Sequence, residues 1–280
     1  MTHGPSIPSR TEADNDLKGA APPSAPVARQ PGTLAGGTRG DRSRLVLATD
    51  LDGTFLGGDP EQRRSLYEWI EKRRQLVTLI FVTGRDLPFI RALIAGGSVP
   101  RPDYVIGDVG TTIAGGPGIE PLGALETTVA QLWGDAGARV DALLEGEPGL
   151  RLQDTPFRYR RSYFYDPDLL VRSTLEKIEA AGFDWLLSAD TYLDVLPRGV
   201  SKGPTLLKLV GHLELPHSHV MTAGDTLNDL SLFETGLTGV AVGNSETSLK
   251  VRVAGMPNVY LSALPGAAGI LDAVRHFEFL

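Results

Sequence analysis

The sequence predicts an α/β protein with a doubly wound parallel sheet and an inserted α+β domain. Short apolar runs recur along the chain, mostly without alternation, as is typical of strands that are buried on both faces. Helical segments lie between several of these runs, whereas residues 115–197 follow a different pattern. Ligands of such sheets collect at the carboxyl ends of the strands, so functional residues are expected there.

The elements of the sheet can be assigned in order. Five apolar runs are predicted strands, at residues 45–49, 76–82, 104–107, 220–223 and 240–242. Five helices are predicted around them, at residues 60–75, 87–95, 204–213, 227–235 and 270–277. The first helix has clear start signals, because Asp59 can cap it and Pro60 suits the first helical position. Leu66, Trp69 and Ile70 then fall on one face, as in a helix that packs on a core.

Residues 115–197 are predicted to form a small inserted domain between core segments 44–114 and 198–280, with both joins at the ligand edge. Its predicted elements are a helix with Val129, Leu132 and Trp133, an aromatic strand at 160–166, a helix at 168–181 and a strand at 193–196. Residues 1–43 are rich in Pro, Gly, Ser, Ala and Arg and lack a hydrophobic period. Such a stretch buries too little apolar surface to offset its ordering entropy, so we predict a disordered tail.

The composition of the 280-residue chain excludes several functions. It has no cysteine, which removes disulfides, thiolate zinc sites and cysteine nucleophiles. The net charge of −7 opposes general nucleic-acid binding. No window of about eighteen residues is continuously apolar, and the N-terminus does not resemble a secretory signal. We therefore expect a cytoplasmic monomer or small homo-oligomer that binds neither nucleic acid nor membrane.

Two aspartates, Asp50 and Asp52, directly follow the first predicted strand. In an extended chain, residues i and i+2 point to the same side, so both carboxylates are expected to face one site. There Asp50, ionised next to a cation, can act as a nucleophile. Asp52, partly protonated because of its neighbour's charge, can act as a general acid and then as a base.

Two structural alternatives fit the same stretch. One is a hairpin turn around Asp52 and Gly53. The other is a calcium loop with the ligands Asp50, Asp52, Thr54 and Glu61. The calcium loop is disfavoured, because Phe55 occupies the position that needs glycine and the preceding segment is a predicted strand.

Three further motifs place polar residues at the ligand edge. Thr83 can donate its hydroxyl to a phosphate oxygen and Gly84 permits a close backbone approach, although an ordinary strand-to-helix turn explains both. Lys202 can hold a phosphate beside two carboxylates, or it can be a solvated surface group. Asp225 can ligate a hard cation, with Asp229 as a second ligand or as an orienting group. Helix capping by Asp225 is the structural alternative, but it accounts for only one of the two acids.

Together these motifs resemble the haloacid dehalogenase superfamily of phosphohydrolases. The matching stretches are "DLDGT" (50–54), "TGR" (83–85), "SKG" (201–203) and "GDTLND" (224–229). The insert is similar to the cap of the branch that includes sucrose-phosphate phosphatases. Three further stretches also resemble that branch: "PDYVIGDVGTTI" (102–113), "LDVLPRGVSKG" (193–203) and "RHFEFL" (275–280).

The resemblance implies a Rossmann-like core with a cap, and a Mg2+ ion at the site. The ion is expected on the side chains of Asp50 and Asp225 and the backbone carbonyl of Asp52, with support from Asp229. The resemblance also implies phosphate contacts from Thr83, Lys202, Asn228 and the backbone amides of residues 51–54. Asp50 would form an aspartyl-phosphate, which water then hydrolyses with Asp52 as the base.

A closing cap would also contact the sugar. The candidate sugar-binding residues are Arg160, Ser162, Asp190 and Asp194, with solvated surface groups as the alternative reading. The sequence thus predicts a Mg2+-dependent phosphatase of a sugar or glycoside phosphate, of the sucrose 6-phosphate, glucosylglycerol phosphate or mannosylfructose phosphate type. The alternatives are a sugar phosphomutase and a catalytically silent sugar-phosphate-binding protein.

Overall fold

A computed structural model describes residues 45–279 of the chain. The first predicted strand, β1 (Leu45–Thr49), lies within an eight-stranded sheet. Its other strands are β2 (Val77–Val82), β3 (Tyr104–Gly107), β4 (Thr112–Gly115), β5 (Glu120–Pro121), β10 (Val220–Gly224), β11 (Thr238–Ala241) and β12 (Val259–Leu261). The order is β12-β11-β10-β1-β2-β3-β4-β5, parallel from β12 to β3 and antiparallel at β4 and β5. The predicted tail, residues 1–43, lies outside the described residues.

Helices cover both faces of this sheet. Leu45 and Leu47 pack against α1 (Pro60–Lys72), α2 (Leu87–Ala95) and α9 (Gly266–His276). Val46 and Ala48 point the other way, onto α6 (Lys202–His212) and α7 (Leu230–Phe233). A further helix, α8 (Thr247–Val253), packs beside α7. This alternation confirms the predicted doubly wound fold, and within residues 45–279 no helix has the length and apolar character that a membrane span requires.

The second sheet has four antiparallel strands in the order β6-β7-β9-β8. They are β6 (Leu150–Leu152), β7 (Arg161–Tyr165), β8 (Phe183–Ser188) and β9 (Tyr192–Pro197). One face of this sheet packs in a hydrophobic cluster with α3 (Gly123–Trp133), α4 (Ala136–Leu143) and α5 (Arg172–Ala180). The opposite face therefore carries the alternate residues of each strand.

Some boundaries differ from the sequence-based expectation. The predicted helix at 227–235 is a 3-10 turn, Leu227–Asp229, followed by the short α7. The predicted first join of the insert, at residue 115, falls at the end of β4, and β5 extends the large sheet to Pro121. The strands β4 and β5 are too short to show a hydrophobic period, so their limits could not be predicted from the sequence. The division of the chain into core and cap stays a prediction.

Candidate active site

The chain turns sharply after β1. Asp50 is buried, and its amide donates to the carbonyl of Ala223 at 2.9 Å, which joins the ends of β1 and β10. Residues 51–55 then coil into one helical turn, with Gly53 at φ +81°. A Cβ at Gly53 would lie 2.2 Å from Oδ2 of Asp225, so only glycine fits this turn.

The Lys202 ammonium lies at the centre of the site. Lys202 is 0% exposed, and its Nζ donates to Asp50 Oδ1 at 2.7 Å and to Asp229 Oδ1 at 2.6 Å. It also donates to Asn228 Oδ1 at 2.6 Å. Burial by itself lowers the pKa of Lys202, but the two carboxylates outweigh it and raise the pKa above its usual value. Lys202 is therefore a charged buried group and not a solvated surface lysine.

Two further carboxylates complete this cluster. Asp225 is buried, and its Oδ1 accepts from Thr54 Oγ1 at 2.6 Å. Asp229 Oδ2 accepts the backbone amides of Asp225 at 2.9 Å and Thr226 at 3.1 Å. Both oxygens of Asp229 are thus engaged, one by Lys202 and one by the loop, which favours an orienting role for Asp229.

The donor set fits a hard divalent cation. Carboxylate oxygens of Asp50, Asp225 and Asp229 lie within 4.8 Å of one another, and all three residues are buried. Three carboxylates and one ammonium give this buried cluster a net charge of −2 when all four groups are ionised. Burial and the neighbouring Asp229 raise the pKa of Asp225 to about 7, and burial likewise raises the pKa of Asp50 well above its usual value. Oxygen donors with unbalanced negative charge are what Mg2+ requires.

Asp52 does not join this cluster. Its side chain is 52% exposed, and both its oxygens accept from Arg85, at 2.8 Å from Nε and 2.9 Å from Nη2. The extended-chain argument for Asp50 and Asp52 does not apply here, because residues 51–55 form a helical turn. That both carboxylates face one site stays a prediction. The charge in contact with Asp52 is a guanidinium and not the Asp50 carboxylate. The sequence analysis assigned no role to Arg85, although this residue lies within the "TGR" motif.

Thr83 and Gly84 lie where β2 ends. Thr83 is buried, and its Oγ1 accepts the amide of Arg85 at 3.1 Å. The carbonyl of Gly84 accepts from Arg160 Nη2, in the segment before β7, at 3.0 Å. The loop that was predicted to hold phosphate is therefore in direct contact with the insert.

Three of the four candidate sugar-binding residues form one buried cluster. Arg160 Nη1 donates to Asp194 Oδ1 at 2.8 Å, and Ser162 is hydrogen-bonded to both residues. Arg160 Nε also donates to Asp108 Oδ1, at 3.2 Å, in the loop after β3. These groups are buried and mutually paired, so they are not solvated surface groups. Their role in sugar binding stays a prediction.

Asp190, the fourth candidate, lies apart from that cluster in the exposed β8–β9 turn. The same turn contacts Glu246, which directly precedes α8. Glu246 Oε1 accepts the amide of Ala189 at 3.1 Å, and Oε2 accepts the amide of Leu227 at 2.9 Å. Glu246 was not identified from the sequence, because no local motif marks it.

The fold and the site define the class of the protein, which is that of the haloacid dehalogenase-like phosphatases. A solved sucrose-phosphatase from Synechocystis sp., in complex with sucrose and phosphate, superposes with a TM-score of 0.76 at 28% identity, over 85% of this chain and 99% of that one. A haloacid dehalogenase-like hydrolase from Bacillus subtilis shares the fold, with a TM-score of 0.60.

The chain belongs to the sucrose-6F-phosphate phosphohydrolase family, whose model matches residues 43–278. It is 43% identical to a glucosylglycerol-phosphate synthase from Pseudomonas anguilliseptica over 84% of this chain, but it spans only 31% of the length of that relative. It is 31% identical to a mannosylfructose-phosphate phosphatase from Agrobacterium fabrum, over 83% of this chain and 96% of that relative.

Proposed function

We propose that this protein is a Mg2+-dependent phosphatase that hydrolyses a sugar or glycoside phosphate through an aspartyl-phosphate on Asp50. The observation that carries the proposal is the Lys202 ammonium, which joins Asp50 to Asp229 beside Asp225. Residues from separate motifs thereby bring a nucleophile, a fixed cation and hard oxygen ligands together. The names of the relatives, with glucosylglycerol-phosphate, mannosylfructose-phosphate and sucrose in them, support a glycoside phosphate as the substrate.

Asp50 and Asp225 would hold the Mg2+ ion, with the backbone carbonyl of Asp52 as a further ligand and Asp229 keeping the loop in place. When bound, the ion supplies positive charge to the phosphoryl oxygens, where negative charge develops during transfer. The predicted phosphate ligands of this chain would hold the same group from the other side: Thr83, Gly84, Lys202, Asn228 and the amides of residues 51–54.

The reaction needs two proton transfers and one covalent intermediate. A carboxylate oxygen of Asp50 bonds to phosphorus as the bond from phosphorus to the sugar oxygen breaks, and Asp52 donates a proton to that oxygen. Asp52 then takes a proton from water, whose oxygen attacks phosphorus, so that inorganic phosphate leaves and the Asp50 carboxylate is restored. Because Arg85 holds both oxygens of Asp52, one of them must leave the guanidinium before the first transfer.

No single contact can supply the acceleration. Phosphate-monoester hydrolysis is so slow unaided that enzymes accelerate it by up to ~10²¹. A charge pair at about 4 Å contributes ~1 kcal/mol in water but ~4 kcal/mol at an effective dielectric near 20, so the exclusion of water strengthens every charge in the site. The contacts of the insert with Gly84 and Glu246, through Arg160 and Ala189, are suited to that exclusion.

The experiment measures inorganic phosphate released from sucrose 6-phosphate, glucosylglycerol phosphate and mannosylfructose phosphate, in Mg2+ and in EDTA. Asp50→Asn should abolish release while the circular dichroism spectrum stays unchanged. Appreciable turnover by Asp50→Asn would contradict the assigned nucleophile. Asp52→Asn should slow these sugar phosphates far more than p-nitrophenyl phosphate, whose leaving group needs no proton. If a hexose 1-phosphate yields an isomer and no free phosphate, the phosphomutase alternative is correct.

A further inference from the structure

Two aromatic side chains, Phe164 of β7 and Tyr192 of β9, lie together on one face of the four-stranded sheet. They are direct partners in the β7–β9 register, and their ring centroids are 5.7 Å apart with the planes at 45°. Phe164 is half-buried and Tyr192 is 39% exposed. We call Phe164 and Tyr192 the aromatic pair.

This face of the sheet is directed toward the large sheet. Ser162 and Asp194 share it with the aromatic pair, because each lies two residues along its strand from one member of the pair. Both bond to Arg160, which reaches the carbonyl of Gly84 at 3.0 Å. The residues on the other face, such as Tyr163 and Leu193, are buried in the cluster with the helices.

Charged groups connect the aromatic pair to the reacting end of the site. The hydrogen bond with Asp52 is the largest cause of the raised pKa of Arg85, and Tyr192 is close enough to add to that rise. Arg85 therefore lies near both Tyr192 and Asp52, the acid that protonates the leaving group in the proposed reaction. The guanidinium of Arg151 lies over the Phe164 ring, 4.3 Å from its centroid.

The chemistry of this surface fits a carbohydrate ring. One face of a pyranose presents C–H groups, and an aromatic face carries partial negative charge, so the two pack together and remove apolar area from water. The hydroxyls around the rim of the sugar need hydrogen-bonding partners, and the guanidinium groups of Arg151, over the Phe164 ring, and of Arg85 provide donors. A flat aliphatic surface would offer the same area without the complementary charge.

We propose that the aromatic pair is the platform on which the sugar ring of the substrate stacks, and so helps to determine which glycoside phosphate is accepted. The inference rests on the proposed function, because it assigns the organic part of the same substrate. The phosphoryl group would lie at Asp50, and the ring that departs with the leaving oxygen would extend past Arg85 onto Phe164 and Tyr192.

The test replaces each ring by an apolar side chain, in Phe164→Leu and Tyr192→Leu. Phe157→Leu is the matched control, because the Phe157 ring also lies under a guanidinium, that of Arg161 at 5.2 Å, but Arg161 is bound to Asp141 of α4. The substrates are glucosylglycerol phosphate and sucrose 6-phosphate, with acetyl phosphate as a substrate without a ring. We expect KM for the ring-bearing substrates to rise roughly three- to tenfold for each ring removed. Acetyl phosphate hydrolysis and the Phe157→Leu variant should stay at wild-type values.

A second measurement separates this inference from the proposed function. Saturation-transfer NMR detects which protons of phosphate-free glucosylglycerol and sucrose contact the protein, and it requires no turnover. If the wild type hydrolyses no phosphate ester, acetyl phosphate included, the proposed function fails. Contacts to sugar C–H protons that are present in the wild type and lost in Tyr192→Leu would still support the platform. Unchanged KM values in both variants, or sugar contacts that are absent or equal in the wild type and the variants, would overturn it.

Discussion

Lys202→Met is the most informative perturbation of the site, because methionine keeps the length and apolar volume of the side chain and removes only the charge. In the wild type, Nζ lies 2.7 Å from Asp50 Oδ1 and 2.6 Å from Asp229 Oδ1. The variant leaves these two buried carboxylates without their shared cation. Because all three residues are buried, water cannot replace the lost charge.

The magnitude follows from these distances. At an effective dielectric of about 20, a charge pair at about 2.7 Å corresponds to ~6 kcal/mol of Coulomb energy, which the desolvation of the wild-type ions partly offsets. Removal of one partner from a buried pair typically costs about 3–5 kcal/mol, because an uncompensated charge remains. We therefore expect the free energy of unfolding to fall by about 3–5 kcal/mol at neutral pH, a large fraction of the usual 5–15 kcal/mol or so.

The assay is urea unfolding followed by circular dichroism in EDTA, at about pH 7 and about pH 5. Without Lys202, the pKa of the buried Asp50 carboxyl lies still further above its unfolded value, so the folded variant binds a proton more tightly. The free energy of unfolding of the variant then falls as the pH rises. The difference between the variant and the wild type should therefore be smaller at the lower pH. Lys208→Met, on the same helix with its Nζ on the carbonyl of Leu125, is the matched control and should change stability little. A loss below about 1 kcal/mol in Lys202→Met would refute the reasoning, because a buried counter-ion cannot be removed so cheaply.

Three further predictions test other parts of the site. In EDTA, burial raises the pKa of Asp225 from 3.8 to about 7, so stability from this group is present at low pH and is lost as the pH rises through that interval. Asp225→Asn should reduce the fall in unfolding free energy between about pH 4 and pH 8 by up to ~4 kcal/mol, and equal falls in both proteins would contradict this. Gly53→Ala, whose Cβ would lie 2.2 Å from Asp225 Oδ2, should lower phosphate release roughly 100-fold in a steady-state assay. Gly97→Ala is its control, because Gly97 also has positive φ but no atom within 4 Å of the added Cβ, and an equal loss in both would point to general strain. Arg160→Met leaves the buried Asp108 without its guanidinium and should lower the free energy of unfolding by about 3–5 kcal/mol in urea. A change within about 0.5 kcal/mol would show that this ion pair does not stabilise the fold.

Several elements were predictable because their signals are local. The limits of β1, β3 and α2 agree with the predicted ones, and the side chain of Asp59 accepts two amides at the start of α1, as expected of an N-cap. Apolar runs and caps depend on neighbours within a few residues of the chain. The strands β4, β5, β6, β8 and β12 were missed. Four of them have four residues or fewer and show no measurable period, and the six residues of β8 do not alternate strictly between apolar and polar.

By itself, then, the sequence determined the doubly wound fold, the four motifs at one sheet edge and the buried core that brings them there. Only the tertiary structure decided which side chains pair. Arg85 and Asp52 are 33 positions apart, Arg160 and Gly84 are 76 apart, and Lys202 and Asp50 are 152 apart. The direction of a side chain after a strand depends on how the loop turns, and the turn after Asp50 brings Asp52 into contact with Arg85. Such pairings are set by distances in space, which no local pattern encodes.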